Sequence, residues 1–304
     1  MAGNIREPVV VGVDGSASAL RAVRWAAAEA RRRYAALRLV HVVDEAPLAA
    51  VRFVPRYDEI VRIAGMRGRR LLRQARDLAR EAEPGVAQSE QLLRGTVTGR
   101  LRAESETAGL LVLGTETIGT IGRLAAGSVT LDLAVHASCP VVLVRPHVAE
   151  EEPPESGPVV VGVAGTPASE AALAFAFEEA ASRNTGLVVV HSWDDGLLAS
   201  LFEESHERLD HAAVDEHEHG LLDGRLADWT GKYPDVAVER VVVRGRPASR
   251  LLDLADRAQL LVVGSRGRSG FTGLLFGSTS QDVLSRALCP VAVVRDGEVP
   301  GRRD

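Results

Sequence analysis

The sequence repeats itself at an offset of 150 residues, and the two copies align without a gap. The run Val9–Val13 falls on Val159–Val163, and Cys139-Pro140 falls on Cys289-Pro290. Further matched pairs are His41 with His191, Gly95 with Gly245, Gly114 with Gly264, and Gly127-Ser128 with Gly277-Ser278. Because this period is far longer than a solenoid unit, each copy should be a complete domain with its own core.

The repeat sets the domain organisation. We predict a first domain over residues 1–148, a linker over 149–157 and a second domain over 158–304. The linker is rich in acids, prolines and small polar residues, as exposed connections between domains are. A length of 304 residues also suits two domains.

Short runs of β-branched and aliphatic residues alternate with helix-length segments in each copy. The first copy predicts strands near 8–13, 37–43, 88–93, 110–113 and 141–144, and helices near 17–33, 57–82, 98–107 and 127–136. The second copy predicts strands near 158–163, 187–192, 237–243, 260–263 and 291–294. Continuous Val and Leu runs are typical of parallel strands covered by helices on both faces. Right-handed crossovers then produce a doubly wound α/β sheet, with any ligand at the carboxyl ends of its strands where the winding reverses.

The amino-acid composition restricts the classes of partner that this chain can bind. The formal net charge of -5 argues against a general nucleic-acid surface. The first residues, MAGNIREPVVVGVDG, lack a basic leader, and no apolar run approaches the ~18 residues that a membrane span needs. We therefore expect a cytoplasmic protein that binds neither nucleic acid nor membrane. The cysteines, Cys139 and Cys289, open two matching apolar runs, so we expect buried thiols rather than a disulfide.

A glycine-rich stretch follows the fourth predicted strand of the second copy. It runs from Gly264 to Ser278, GSRGRSGFTGLLFGS, and the glycines at 264, 267 and 277 have the spacing G-x2-G-x9-G-S. This spacing, its place in the order of elements, the GVDGS opening and the CPV strands together resemble the universal stress protein family, whose ATP-binding members carry G-x2-G-x9-G-[ST] here. The resemblance covers nearly the whole chain as a tandem pair.

The resemblance implies two tandem doubly wound, five-stranded parallel-sheet domains, Rossmann-like, that bind ATP with or without Mg²⁺. Adenine would lie near the ends of the first and second strands, and the glycine loop would wrap the triphosphate. The nucleotide-binding residues that it implies in the first copy are Gly12, Asp14, Val42, Gly114, Arg123, Gly127 and Ser128. In the second copy they are Gly162, Val263, Gly264, Arg266, Gly267, Arg268, Gly277, Ser278 and Thr279.

The chemistry of the second loop agrees with phosphate binding. Glycines let the backbone approach a ligand closely, and Gly277 with Ser278 would open a helix whose free N–H groups attract an anion. Arg266 and Arg268 add cationic donors. A glycine turn without any ligand is the alternative reading. Lys232 is the only lysine and lies far from any glycine loop, which excludes a P-loop mechanism.

The first copy keeps the scaffold but changes its loop. Thr117 stands where the second copy has Gly267, and Glu116 puts a negative charge in place of Arg266. Conversely, Asp14 supplies a carboxylate after the first strand, where the second copy has Ala164. Asp14 could instead cap the following helix. In the first loop Thr117 would be strained in a glycine's conformation, and the negative charge of Glu116 would repel a polyphosphate. We therefore expect the second domain to be the tighter ATP site.

Two other features of the sequence offer possible ligand groups. His211, Asp215 and His219 are spaced four residues apart, which suits metal ligands in principle. The flanking residues do not close a coordination shell around them. We therefore favour a solvated acidic helix face and predict no metal site. Trp193, at the end of a strand where the first copy has Val43, is either a surface for stacking adenine or a half-buried core residue.

The leading functional hypothesis is an ATP-binding stress-response protein whose nucleotide occupancy changes its shape or its partners. No set of nucleophile, base and metal ligands stands out, so we predict no catalytic residues. The alternatives are a slow ATP hydrolase or phosphotransferase, and a nucleotide-free interaction scaffold. By resemblance to single-domain relatives that form dimers, we expect an internal domain pair, further homo-oligomerisation and a protein partner that the sequence does not identify.

Overall fold

The computed structural model describes residues 6–45, 47, 53, 56–115, 128–146, 152–164, 166–193, 211–265 and 277–295. The chain divides into two compact units, whose described residues lie within 1–153 and within 154–299. Each unit therefore holds one copy of the repeat. The bounds predicted for the two domains and the linker stay a prediction at the level of single residues.

Both units alternate strands with helices. The first contains β1 (Val9–Gly12), α1 (Ala17–Arg32), β2 (Leu37–Asp44), α2 (Tyr57–Ala82), β3 (Gln88–Gly95), α3 (Val97–Ser105), β4 (Leu110–Gly114), α4 (Ser128–His136) and β5 (Val141–Val144). The second contains β6 (Val159–Val163), α5 (Pro167–Ser182), β7 (Leu187–Trp193), α6 (His211–Lys232), β8 (Val238–Arg244), α7 (Pro247–Ala255), β9 (Leu260–Gly264), α8 (Ser278–Arg286) and β10 (Val291–Val294). The predicted bounds differ from these by at most two residues, because the apolar runs that define them are local features of the sequence.

The strands of each unit pair in parallel. Their order is β3-β2-β1-β4-β5 in the first unit and β8-β7-β6-β9-β10 in the second. In the first unit Val9 lies between Leu37 and Leu110, and in the second Val159 lies between Leu187 and Leu260. The winding reverses at β1, because β2 and β3 are added on one side of it and β4 and β5 on the other. The second unit repeats this at β6, with β7 and β8 on one side and β9 and β10 on the other. This arrangement confirms the predicted fold class and makes these two strand ends the expected places for a ligand.

The strands differ in how deeply their residues are buried. Every residue of β5, β9 and β10 is buried, and β1, β4 and β6 each have one residue that is not fully buried. The strand β3, with the sequence QSEQLLRG, has no fully buried residue, because its composition is more polar. Cys139 and Cys289 are buried thiols that are not joined in a disulfide, as predicted.

One buried ion pair recurs near the end of the first helix of each unit. Glu29 is fully buried and accepts from Arg32 and Arg33, while Glu179 accepts from Arg183 at 2.9 Å. These contacts compensate the cost of removing a carboxylate from water.

None of the described helices is both long enough and apolar enough to cross a membrane.

Candidate functional site

The second unit has a cavity of about 280 Å³ at the carboxyl ends of its central strands. This volume lies near the lower limit of small-molecule sites, which is roughly 300 Å³. The cavity begins where β6, β7 and β9 end, which is the point of reversed winding. Its lining residues are Gly162, Val163, Ala164, Ser169, Val190, Ser192, Trp193, Gly245, Arg246, Pro247, Leu251, Val263, Gly264, Gly277, Ser278, Thr279 and Ser280.

The amino terminus of α8 forms one side of this cavity. Gly277 is the N-cap residue, with φ -67° and ψ 148°, and it supplies no side-chain cap. The backbone N–H groups of the first helical turn have no partner within the helix, and they carry the positive end of the helix dipole. Ser280 fixes this turn to the end of β9 by donating a hydrogen bond of 2.8 Å to the carbonyl oxygen of Gly264. The arrangement suits an anion.

The opposite side of the cavity comes from β7 and from the turn between β8 and α7. Trp193, the last residue of β7, is only 4% exposed and contributes an aromatic surface. Gly245 has φ +89°, a conformation that favours glycine and that lets the chain turn sharply into α7. The strands β7 and β9 flank β6 on opposite sides. Trp193, which ends β7, and the start of α8, which follows β9, are therefore on opposite sides of the end of β6.

The charge of the cavity favours an anionic ligand. Among its described lining residues Arg246 carries the only charged side chain, and none is acidic. Ala164 occupies the place that corresponds to Asp14 in the first unit. The side chains of Ser278 and Thr279 add hydroxyl groups beside the helix terminus. The cavity can therefore hold phosphate groups by backbone donors and hydroxyls, with one guanidinium at its edge.

Six predicted residues of the second copy line this one cavity. They are Gly162, Val263, Gly264, Gly277, Ser278 and Thr279. Arg266, Gly267 and Arg268 lie outside the described residues, so the loop that joins β9 to α8 has no structural account.

Four predicted residues of the first copy lie at equivalent positions in their own unit. Gly12 ends β1, Gly114 ends β4, Val42 lies in β2 and Ser128 begins α4. Four other loop positions fall outside the described part of the chain: Glu116, Thr117, Arg123 and Gly127. The contrast that we predicted between the two loops therefore stays a prediction.

Asp14 braces a helix cap in the first unit. Its Oδ1 accepts from the backbone N–H of Ser16 at 2.8 Å and from the Ser16 hydroxyl at 2.7 Å. Ser16 is the N-cap residue of α1 and accepts from the backbone N–H of Ala19. Asp14 therefore supports the cap without being the cap itself. It is exposed, and Oδ2 has no hydrogen-bond partner among the described residues.

Of the two glycines at the strand ends of the first unit, Gly114 is the one that is required for space. A Cβ on Gly114 would collide with the backbone carbonyl group of Ser18 and with the backbone nitrogen of Ala19. A Cβ on Gly12 would lie 2.9 Å from Leu113 Cδ2, which is the end of a flexible side chain. Neither glycine has a positive φ. Close packing of β4 on the start of α1 is thus one structural reason for Gly114, whatever ligand it also meets.

The histidine-rich helix α6 is used for contacts with β7. Asp215 accepts a hydrogen bond of 3.2 Å from the indole N–H of Trp193, and its backbone oxygen lies 2.8 Å from His219 Nδ1. Glu218 Oε2 lies 2.7 Å from His191 Nε2. Within the described residues no three His, Cys, Asp or Glu side chains are grouped to hold a metal ion.

Several cavity residues were missed by the sequence analysis. Gly245, Arg246 and Pro247 come from the turn after β8, and Ser192 comes from β7. Gly245 did stand out as a repeated position, because Gly95 matches it, and this was the available signal. Nothing local indicated that this turn folds over the end of β6.

Comparison with known proteins gives a consistent result. Residues 6–145 and 156–295 each match the model of the universal stress protein family. Two universal stress proteins of Mycobacterium tuberculosis are similar to this chain. Rv2005c is 40% identical over 291 residues, covering 94% of this chain and 96% of that protein. Rv2623 is 38% identical over 298 residues, covering 97% and 98%.

A solved structure has the same fold. A universal stress protein from Archaeoglobus fulgidus aligns with a TM-score of 0.72 and covers 96% of this chain and 99% of its own. The identity is 16%, so this likeness concerns the fold alone.

Proposed function

This chain belongs to the universal stress protein family, and from that premise we propose that it binds ATP and acts as a nucleotide-dependent regulator in the stress response. The second unit would be the principal site. The single observation that carries this proposal is the cavity at the reversed winding of the second sheet, bounded by the uncapped amino terminus of α8.

The shape and chemistry of the cavity support a nucleotide over a simple anion. Phosphate groups would meet the backbone N–H groups and hydroxyls of Ser278 and Thr279. The nucleoside would extend across the end of β6 towards Val190 and Trp193, which are apolar. A Mg²⁺ ion, if it accompanies ATP, would be held mainly by the phosphates, since no described lining residue is acidic.

Regulation fits the site better than rapid turnover does. Water attack on a phosphoanhydride needs a group that orients the nucleophile, usually a carboxylate or an amide side chain. The described cavity lining offers serine, threonine and arginine but no such group. We therefore propose that bound ATP persists and changes the affinity of the protein for its partners.

The test is binding of ATP to the full chain and to the Gly277→Val variant. Gly277 has an ordinary extended backbone conformation, so valine fits the backbone but fills space at the helix terminus. We expect the variant to keep its thermal stability without ligand and to lose at least tenfold in ATP affinity by calorimetry. An unchanged ATP affinity of the variant, with ATP shown to occupy the site of its second unit, would contradict the proposal.

Two further measurements separate the rival functions. Release of phosphate from radiolabelled ATP at the rate of an ordinary enzyme would favour a hydrolase or phosphotransferase. Absence of any ATP-dependent thermal shift in the full chain would favour an interaction scaffold that works without nucleotide.

A further inference from the structure

Trp193 is held in place from outside the cavity. Its indole N–H donates to Asp215 Oδ1 at 3.2 Å, and Asp215 lies on α6, away from the cavity lining. A buried tryptophan normally needs such a partner for its N–H group. Because that donor is already engaged, Trp193 offers a ligand its apolar ring rather than a hydrogen-bond donor.

Other contacts fix the same ring and strand. The guanidinium carbon of Arg244 lies 6.0 Å from the centre of the Trp193 ring, and the His211 ring centre lies 6.3 Å away. Two residues earlier on β7, His191 contacts Glu218, which also belongs to α6. The end of β7 is therefore tied to α6 by two polar contacts, Trp193 to Asp215 and His191 to Glu218.

The first unit shows that the fold does not require these ties. Val43 stands in place of Trp193, Gly65 in place of Asp215 and Gly68 in place of Glu218. His41 instead contacts the carbonyl oxygen of Val13 at 2.6 Å. Because the same sheet and the same helix order form without them, Trp193 and Asp215 need a different explanation, and the cavity that Trp193 lines provides one.

We infer that Trp193 is the base-recognising wall of the second-unit site and that Asp215 is the positioning residue that holds it there. This inference rests on the proposed function. It specifies the ligand class as nucleotides with a planar aromatic base, in preference to polyphosphate without one. Since Ala164 leaves the site without the carboxylate that Asp14 supplies in the first unit, contact with the base accounts for most of the selectivity.

The test uses the full chain labelled with 5-fluorotryptophan and observed by ¹⁹F NMR. The sequence has three tryptophans, and loss of one resonance in Trp193→Phe assigns the residue of interest. Titration with ATP should move the Trp193 resonance through the ring current of the stacked base. Titration with inorganic tripolyphosphate should move it much less. Equal movements by the two ligands would overturn the inference, and both titrations use the wild-type sequence.

Substitutions on α6 then test the positioning role. Asp215→Ala should weaken ATP binding about tenfold and leave tripolyphosphate affinity unchanged, because only the base contact is disturbed. Asp215→Asn keeps an oxygen acceptor for the indole N–H and should restore ATP affinity. The matched control is Asp223→Ala, since Asp223 is on the same helix, contacts Arg240 at 2.5 Å and lies outside the cavity lining. The Trp25 and Trp229 resonances report whether each variant stays folded.

The outcomes distinguish this inference from the proposed function. A wild-type chain that binds no ATP at all would refute the proposed function. A chain that binds ATP, but whose Asp215→Ala variant loses equal affinity for both ligands or none for either, would refute the base-recognising role alone.

Discussion

Replacement of Gly114 by alanine should destabilise the first unit even when no nucleotide is present. The added Cβ would overlap backbone atoms of Ser18 and Ala19, at the start of α1. Backbone cannot rotate away as a side chain can, so relief requires β4 and α1 to separate. Overpacked cores lose roughly 1–3 kcal/mol, and a clash with backbone belongs near the upper end. We expect a loss of about 3 kcal/mol, or a fall in Tm of roughly 6–12 °C for a unit of this size.

Trp25 on α1 is a suitable reporter, because it is 9% exposed and belongs to the first unit. In a background of Trp193→Phe and Trp229→Phe it is the only tryptophan, and urea unfolding followed by its fluorescence reports on this unit. Gly65→Ala is the matched control, since its Cβ meets nothing within 4 Å in α2. That variant should be neutral or more stable by about 0.5–1 kcal/mol. An unfolding midpoint of Gly114→Ala equal to that of the wild type would refute the packing argument and leave only a role towards ligand.

Three further predictions concern the second unit. Ala164→Asp should strengthen ATP binding to the full chain, because it supplies the carboxylate that the first unit has, and calorimetry showing equal or weaker binding would contradict this. Glu179→Ala removes the buried carboxylate that accepts from Arg183 and should cost about 3–5 kcal/mol in urea unfolding. The control is Glu152→Ala in the first unit, which removes the exposed partner of Arg24 and should cost less than about 1 kcal/mol. Gly245→Ala should lose about 1–2 kcal/mol through its φ of +89°, although its Cβ would meet no atom within 4 Å, and an unaltered Tm would argue against that backbone conformation.

The candidate site divides into a part that local sequence predicts and a part that it does not. Gly264, Gly277 and Ser278 were predicted from the glycine spacing and the strand that precedes it, and all three line the cavity. Arg246 lines the same cavity but lies in a turn after a different strand, and no local pattern singled it out. The reason is that helix termini and glycine loops are local features, whereas the set of loops that meets at one strand end depends on strand order.

The sequence by itself determined two domains of parallel α/β type and the bounds of their strands. The repeat and the buried Val and Leu runs suffice for this, because burial on both faces of a strand leaves a direct mark on composition. Only the tertiary structure decided the roles of particular side chains. Gly114 meets Ser18, and Trp193 meets Asp215, across 96 and 22 residues of sequence. Such contacts arise from strand register and helix packing, which no residue's immediate neighbours specify.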